Sequence, residues 1–201
     1  GTDSSPNGNT FTVNNLTSID QSTDYPVNNF CTMNPLDHSG TAPTLSDGNL
    51  HLSTAVTADN SFRSTIAVSK GKWYTEWLFT DSANNNHYGI WSADKSLTAN
   101  YIGYQLYSWG IYTGNGNKRN NQSYDSYGSA IAQNDILMTA LDKDNGKIWW
   151  GLNGTWFNSG NPATGSNEAF SNINTVVGSD GYVAFASLTQ TTTKYNFGSP
   201  P

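Results

Sequence analysis

Along this chain apolar and polar positions alternate in short runs broken by glycine-containing turns, the pattern of strands rather than helices. The clearest case starts at Ile136. Residues 136–141 form an apolar run, Asn145-Gly146 follows, residues 147–152 form an aromatic-rich run, and Asn153-Gly154 closes it before Thr155. Asn-Gly supplies the two left-handed positions of a type I′ hairpin turn, so the spacing predicts a three-strand meander. Residues 73–80 predict another strand, with Trp73, Thr75, Trp77 and Phe79 on one face and Tyr74, Glu76 and Leu78 on the other. Aromatics on both faces predict a central strand covered on both sides. Asp47-Gly48 predicts a hairpin between Thr44-Leu45-Ser46 and Asn49-Leu50-His51-Leu52, whereas residues 62–68 alternate less cleanly. Tyr107, Trp109 and Ile111 alternate as one strand face, which places Trp109 in a core. No stretch beyond one or two turns reads as helix, and no repeat of solenoid or propeller period is present. The expectation is an all-β protein, an antiparallel β-sandwich. Its single core should draw on Trp73 or Trp77, Trp91, Trp149 or Trp150, and Phe185.

Composition refines this picture in three ways. With 201 residues the chain can bury one substantial core, and one sandwich domain over residues 31–201 is expected. Charged residues are only 12%, so polarity comes from Asn, Ser, Thr and Gly, which suits strands and turns better than helices. Nine Lys and Arg against fifteen Asp and Glu give a net charge of -6, which argues against a nucleic-acid partner. Residues 1–30 are polar, with brief alternation at Phe11, Val13 and Leu16, and read as a partly extended N-terminal arm. A start at Gly1-Thr2 suggests a piece of a longer polypeptide, a processed product or an expression product. No run is apolar enough to span a membrane as a helix, and membrane insertion is not expected. Cys31 is the only cysteine, so an intrachain disulfide is impossible.

Several blocks carry a family resemblance. Asn134-Asp135-Ile136, then Leu141-Asp142, a turn, and Leu152-Asn153-Gly154 resemble the centre of the SPRY domain, where the family pattern is G-D-x-x-G, L-D, a turn and an aromatic strand ending in N-G. Asn134 stands where that family has Gly. Gly71-Lys72-Trp73-Tyr74-Thr75-Glu76 resembles the family's G-x-x-Y-W-E strand, with Thr75 in place of Trp. Tyr88-Gly89-Ile90-Trp91, Tyr127-Gly128, residues 182–186 and Asn196-Phe197-Gly198 resemble later blocks in the same order. The resemblance implies a concanavalin A-like jelly roll. The wording at Asn34-Pro35-Leu36-Asp37, at residues 45–50 and at residues 160–165 is similar to SPRY-like modules of tailed bacteriophage virion proteins.

Residues suited to catalysis or metal binding are few. His38, His51 and His87 show no metal-ligand spacing, no Cys pair exists, and no metal or cofactor is expected. Asp142-Lys143-Asp144-Asn145-Gly146 departs from a calcium loop because Gly falls one position early and the twelfth residue is Asn153; it reads as a hairpin tip. Residues 114–119, Gly-Asn-Gly-Asn-Lys-Arg, lack the rest of a phosphate-binding fingerprint and read as a solvent loop. The enzymatic alternative is a carbohydrate-active enzyme on a related sandwich, which needs paired carboxylates. Glu76 is followed by Trp77-Leu78-Phe79, and the only other glutamate is Glu168 in a predicted loop. Glu76 is therefore expected to accept structural hydrogen bonds inside the sandwich, and no catalytic residue is assigned.

Recognition is the better expectation. Residues 101–127 hold seven aromatics together with Asn115, Asn117, Asn120, Asn121 and Gln122. Aromatic faces beside amides suit both sugars and protein interfaces. By the SPRY resemblance, the connection carrying Tyr101 and Tyr104 lies where relatives place partner-binding loop residues, and both tyrosines are expected to be exposed. The candidate ligand-binding residues are Asn85, His87, Tyr101, Tyr104, Asn115, Asn117, Asn121 and Thr191. The resemblance implies a non-enzymatic recognition or structural module of a virion (tail fibre, tail-associated or capsid-decorating protein) that binds a host glycan or another virion protein. An oligomer would form through the parent protein. A cellular SPRY adaptor that binds protein partners is the further alternative.

Overall fold

The computed structural model describes residues 6–9, 12, 14, 30–53, 60–81, 85–188 and 192–198. Most of the expected arm, and Thr191, lie outside them. Fourteen strands follow in chain order: β1 (Met33–His38), β2 (Thr44–Ser46), β3 (His51–Ser53), β4 (Ser61–Val68), β5 (Lys72–Phe79), β6 (His87–Ser92), β7 (Ser108–Tyr112), β8 (Lys118–Asn120), β9 (Ser123–Asp125), β10 (Ile136–Asp142), β11 (Lys147–Leu152), β12 (Thr155–Trp156), β13 (Val183–Leu188) and β14 (Thr193–Asn196). Among the described residues the one α-helix is α1 (Ile173–Val177). The strands form two seven-stranded sheets, ordered β1-β4-β13-β6-β7-β8-β9 and β12-β11-β10-β5-β14-β3-β2, and every pairing is antiparallel. The expected all-β sandwich is the fold observed.

Turn chemistry sets the meander, with one correction. Leu152 pairs with Thr155 across Asn153 (φ 49) and Gly154 (φ 87), the two-residue turn expected. Asp142 pairs with Lys147, so residues 143–146 make a four-residue loop in which Gly146 (φ 64) is left-handed and Asn145 is not. The cause is side-chain competition. Asp142 accepts hydrogen bonds from the Asn145 backbone and amide nitrogens at 3.0 and 2.9 Å, while Lys143 is fully buried and its Nζ donates to Asn174 Oδ1 and to the Gly178 and Ser179 carbonyls. Burial alone would raise the Asp142 carboxyl, but the Asn145 bonds and the Lys72 ammonium hold it below the usual carboxylate range. The loop's acid is thus satisfied locally.

The main core lies between the sheets and includes Trp77, Trp109, Trp150 and Phe185, with Tyr88 and Tyr195 among them. Trp91 departs from the expectation of one core. It joins Ile102, Ala186 and Leu188 in a second cluster on the opposite face of the first sheet. Trp149 is buried outside both clusters and donates to the Ser166 carbonyl at 2.8 Å. Strand β5 is central, between β10 and β14, yet Trp73 and Tyr74 remain 43% and 46% exposed, so the expected cover on both faces is incomplete. The imperfect alternation in residues 62–68 is explained by a bulge: Ala67 faces Ala184 while Arg63 faces Ala186.

Arg63 anchors the outer side of the first sheet. Its guanidinium makes a two-pronged pair with Asp37 (2.7 and 2.9 Å) and donates to the Ser92 and Lys95 carbonyls at 2.8 Å each. This joins β1, β4 and the start of the β6–β7 connection. Removing a buried cation that makes four hydrogen bonds strands its acceptors, so Arg63→Ala is expected to cost about 2–4 kcal/mol in urea unfolding. Wild-type stability in that variant would show that the clamp contributes nothing.

Candidate functional site

The candidate surface is built by strand alternation on the outer face of the first sheet. Tyr88 and Ile90 of β6 enter the main core, which turns His87, Gly89 and Trp91 outward. Registry then fixes two rows: Ala186, Gly89, Gly110, Arg119 and Tyr124 lie side by side across β13-β6-β7-β8-β9, and Leu188, His87 and Tyr112 form the next row. The β6–β7 connection folds back over the glycine part of the first row. A Cβ on Gly110 would sit 2.5 Å from the Ile102 carbonyl oxygen, and Gly103 (φ +96) has the Arg119 backbone equally close. Only glycine admits that approach, and it delivers Tyr101 and Tyr104 to the same face.

There the aromatic side chains close around one cation. Arg119 Cζ lies 5.0, 4.7 and 5.4 Å from the ring centroids of Tyr101, Tyr112 and Tyr124, within cation–π range. His87 is stacked on Tyr101 (4.7 Å) and on Tyr112 (4.8 Å), and Tyr104 meets Tyr101 edge-on at 5.3 Å. The Tyr112 hydroxyl donates to Asn85 Oδ1 at 2.7 Å. Both ring nitrogens of His87 and the Nε of Arg119 are buried without a hydrogen-bond partner among the described residues. Burial, reinforced by the Arg119 charge, pushes the His87 imidazole down to about 3, so it is neutral at ordinary pH.

Of the expected site residues, the fold gathers Asn85, His87, Tyr101 and Tyr104 directly. Asn115 and Asn117 lie in the β7–β8 loop next to Tyr112, whose backbone N–H bonds the Asn117 carbonyl; Asn115 Oδ1 accepts from the Asn117 N–H at 3.0 Å. Asn121 (φ 51) is exposed in the two-residue β8–β9 turn with Gln122 (φ 64). Thr191 lies outside the described residues. Its neighbour Thr193 is a buried β14 residue bonded to the Tyr88 hydroxyl at 2.8 Å, so that part of the expected late loop belongs to the core. Tyr101 and Tyr104 are half-buried rather than exposed, because each is packed in the ring cluster; Tyr124 is the exposed ring, at 63%. Arg119 is not among the residues the sequence pattern singles out. Residues 118–120 form β8 rather than a solvent loop: Lys118 turns inward to the Ala169 carbonyl (2.8 Å) and Arg119 turns outward. A three-residue, wholly polar strand gives no apolar alternation to detect.

Glu76 takes no part in this surface. Its Oε1 accepts from the Tyr74 hydroxyl at 2.7 Å and its Oε2 from Asn196 Nδ2 at 3.2 Å, and its cross-strand neighbours are Met138 and Asn196. Burial and the Glu76 carboxylate push the Tyr74 phenol above its usual range. The bonding is structural, as expected, but it lies on the outer face of the second sheet beside exposed Tyr74, not inside the sandwich. Glu76→Gln is expected to cost about 0.5–1.5 kcal/mol and to change no reducing-sugar release from bacterial polysaccharides. Release by the wild type that the variant lacks would revive the enzymatic alternative.

No family model matches the chain. Among solved structures, the SPRY domain of human HERC1 aligns with a TM-score of 0.65 and 14% sequence identity, over 84% of this chain and 99% of that chain. The fold is therefore SPRY-like, a two-sheet antiparallel sandwich.

Proposed function

We propose that the chain is a non-enzymatic recognition module whose ligand meets the outer face of the first sheet, at Arg119 and the tyrosines around it. The observation that carries this reading is a guanidinium enclosed by three tyrosine rings, with exposed Tyr124 and an amide-bearing rim beside it. Rings and amides fixed on a rigid sheet are the chemistry of binding, and a ring cluster is already ordered before the ligand arrives. The sequence wording supports a bacteriophage virion as the setting, with attachment to a host surface glycan or assembly onto another virion protein as the role. A cellular adaptor is the second reading, favoured by the likeness to a domain of a human protein. Flanking fibre or collar sequence in the parent reading frame favours the first, and a ubiquitin-ligase or signalling domain the second.

A glycan array and capture of virion proteins, each run with the wild type and two variants, test the surface. Tyr124→Ala and Tyr104→Ala are expected to weaken binding by about 1–2 kcal/mol, roughly tenfold, as truncated aromatic anchors do. Tyr124→Ala, the more exposed change, should leave the melting temperature nearly unchanged. Wild-type binding by both variants would move the site elsewhere.

A further inference from the structure

We infer that the Arg119 cluster takes a carboxylated sugar, an acidic residue of a glycan chain whose carboxylate meets the guanidinium edge; this rests on the reading above that the surface is a recognition site. The first ground is a census of positive charge. Of the nine Lys and Arg side chains, six meet a carboxylate, and Lys118 and Lys143 donate to oxygen acceptors. Arg119 has neither a carboxylate nor a hydrogen-bond acceptor among the described residues, and its Nε is buried. Three tyrosine rings lie within cation–π range of its Cζ, and the planar N–H fork of a guanidinium is the part that pairs with a planar carboxylate.

The second ground is the charge that the site can match. His87, packed beside it and neutral, adds no second cation, and the chain carries -6 overall. One guanidinium matches the charge of one carboxylate and leaves a phosphate dianion half-neutralised. The third ground is the rim. Tyr124 offers a ring face for the apolar side of a pyranose, and Asn85, Asn115, Asn121 and Gln122 are exposed amides suited to hydroxyls. A peptide anchored by apolar side chains would need an apolar pocket. An apolar pocket lined by Cys31, Ile66, Trp73, Tyr74, Phe185 and Phe197, among others, shares no residue with this cluster.

The test is a titration of the chain with trigalacturonate and with sialyllactose, read by calorimetry and by the NMR signals of His87 and the tyrosines. Galactotriose and lactose serve as neutral controls, and a glutamate-rich peptide as the competing class. At least one acidic sugar should bind about tenfold or more tighter than its neutral control, shift the His87 signals, and weaken as NaCl rises from about 50 to about 500 mM. Arg119→Gln should abolish the preference for the acidic sugar, and Arg119→Lys, which keeps the charge but loses the planar fork, should retain only part of it. Retained binding of the neutral sugars and an unchanged melting temperature show that the arginine variants are folded. Equal binding of acidic and neutral sugars overturns the inference while the recognition reading stands. Binding of the peptide at these residues without either acidic sugar does the same. Failure of every probe to shift the His87 and tyrosine signals overturns the inference and counts against the surface itself.

Discussion

Trp77→Ala is expected to lower unfolding stability by about 3–5 kcal/mol, read as a shift in the urea midpoint. Trp77 is fully buried and crosses the gap between the sheets. From β5 its ring reaches Tyr88 on β6 at 4.5 Å and also meets Tyr195 (5.4 Å) and Phe197 (6.5 Å), all in angled, edge-type geometry. Alanine would empty the centre of the core, where rigid strands on both sides prevent collapse onto the cavity. Trp77→Phe separates volume from polarity. The indole Nε1 has no hydrogen-bond partner among the described residues, so phenylalanine removes a buried unpaired donor while retaining an aromatic ring. That variant should lose well under half of what alanine loses. A loss near zero for Trp77→Ala would mean that the sheets do not pack through this residue.

The second large effect is acid sensitivity through His87. Its folded-state value is held near 3, against about 6.5 in an unfolded chain, so at intermediate pH only the unfolded state takes up the proton. Stability is then highest above about pH 6.5 and falls as the pH drops, by about 1.4 kcal/mol per unit until the folded value is reached. Asp142 acts with the same sign, but only lower down, since its unfolded carboxyl titrates near pH 3.9. Between about pH 7 and pH 5 the slope therefore reports the histidine. His87→Gln, which cannot gain a proton, should flatten the stability profile there by about 2 kcal/mol over the interval, whatever its absolute stability. Parallel profiles for wild type and variant would contradict a neutral, buried His87.

Both effects show which layers of the molecule the sequence exposes. Local chemistry was legible: Asn153-Gly154 marks a true two-residue turn, residues 147–152 are strand β11, and the alternation at Trp109 and Ile111 points into the core. Where a side chain competes for the turn, as Asp142 does with Asn145, the dipeptide rule places the hairpin and misassigns its loop. Trp91 followed the strand alternation faithfully, but nothing local reveals that the face opposite the core is itself covered by the β6–β7 connection. The site is legible only in part for the same reason. Tyr101, His87 and Asn85 stand out as residue types, whereas Arg119 acquires its role from registry with Gly110 and Tyr124 and from a connection folded over the sheet. Those are long-range relations that no window along the chain contains.

The central claim, that recognition occurs on the outer face of the first sheet around Arg119, is tested most directly by amide hydrogen exchange of the chain, free and saturated with the strongest hit from the glycan array or virion capture. Slowed exchange is expected in residues 85–87, 101–107 and 118–124, with the second sheet unchanged. Protection confined instead to residues 66–74 and 197, around the apolar pocket at Ile66, Trp73, Tyr74 and Phe197, would contradict the account.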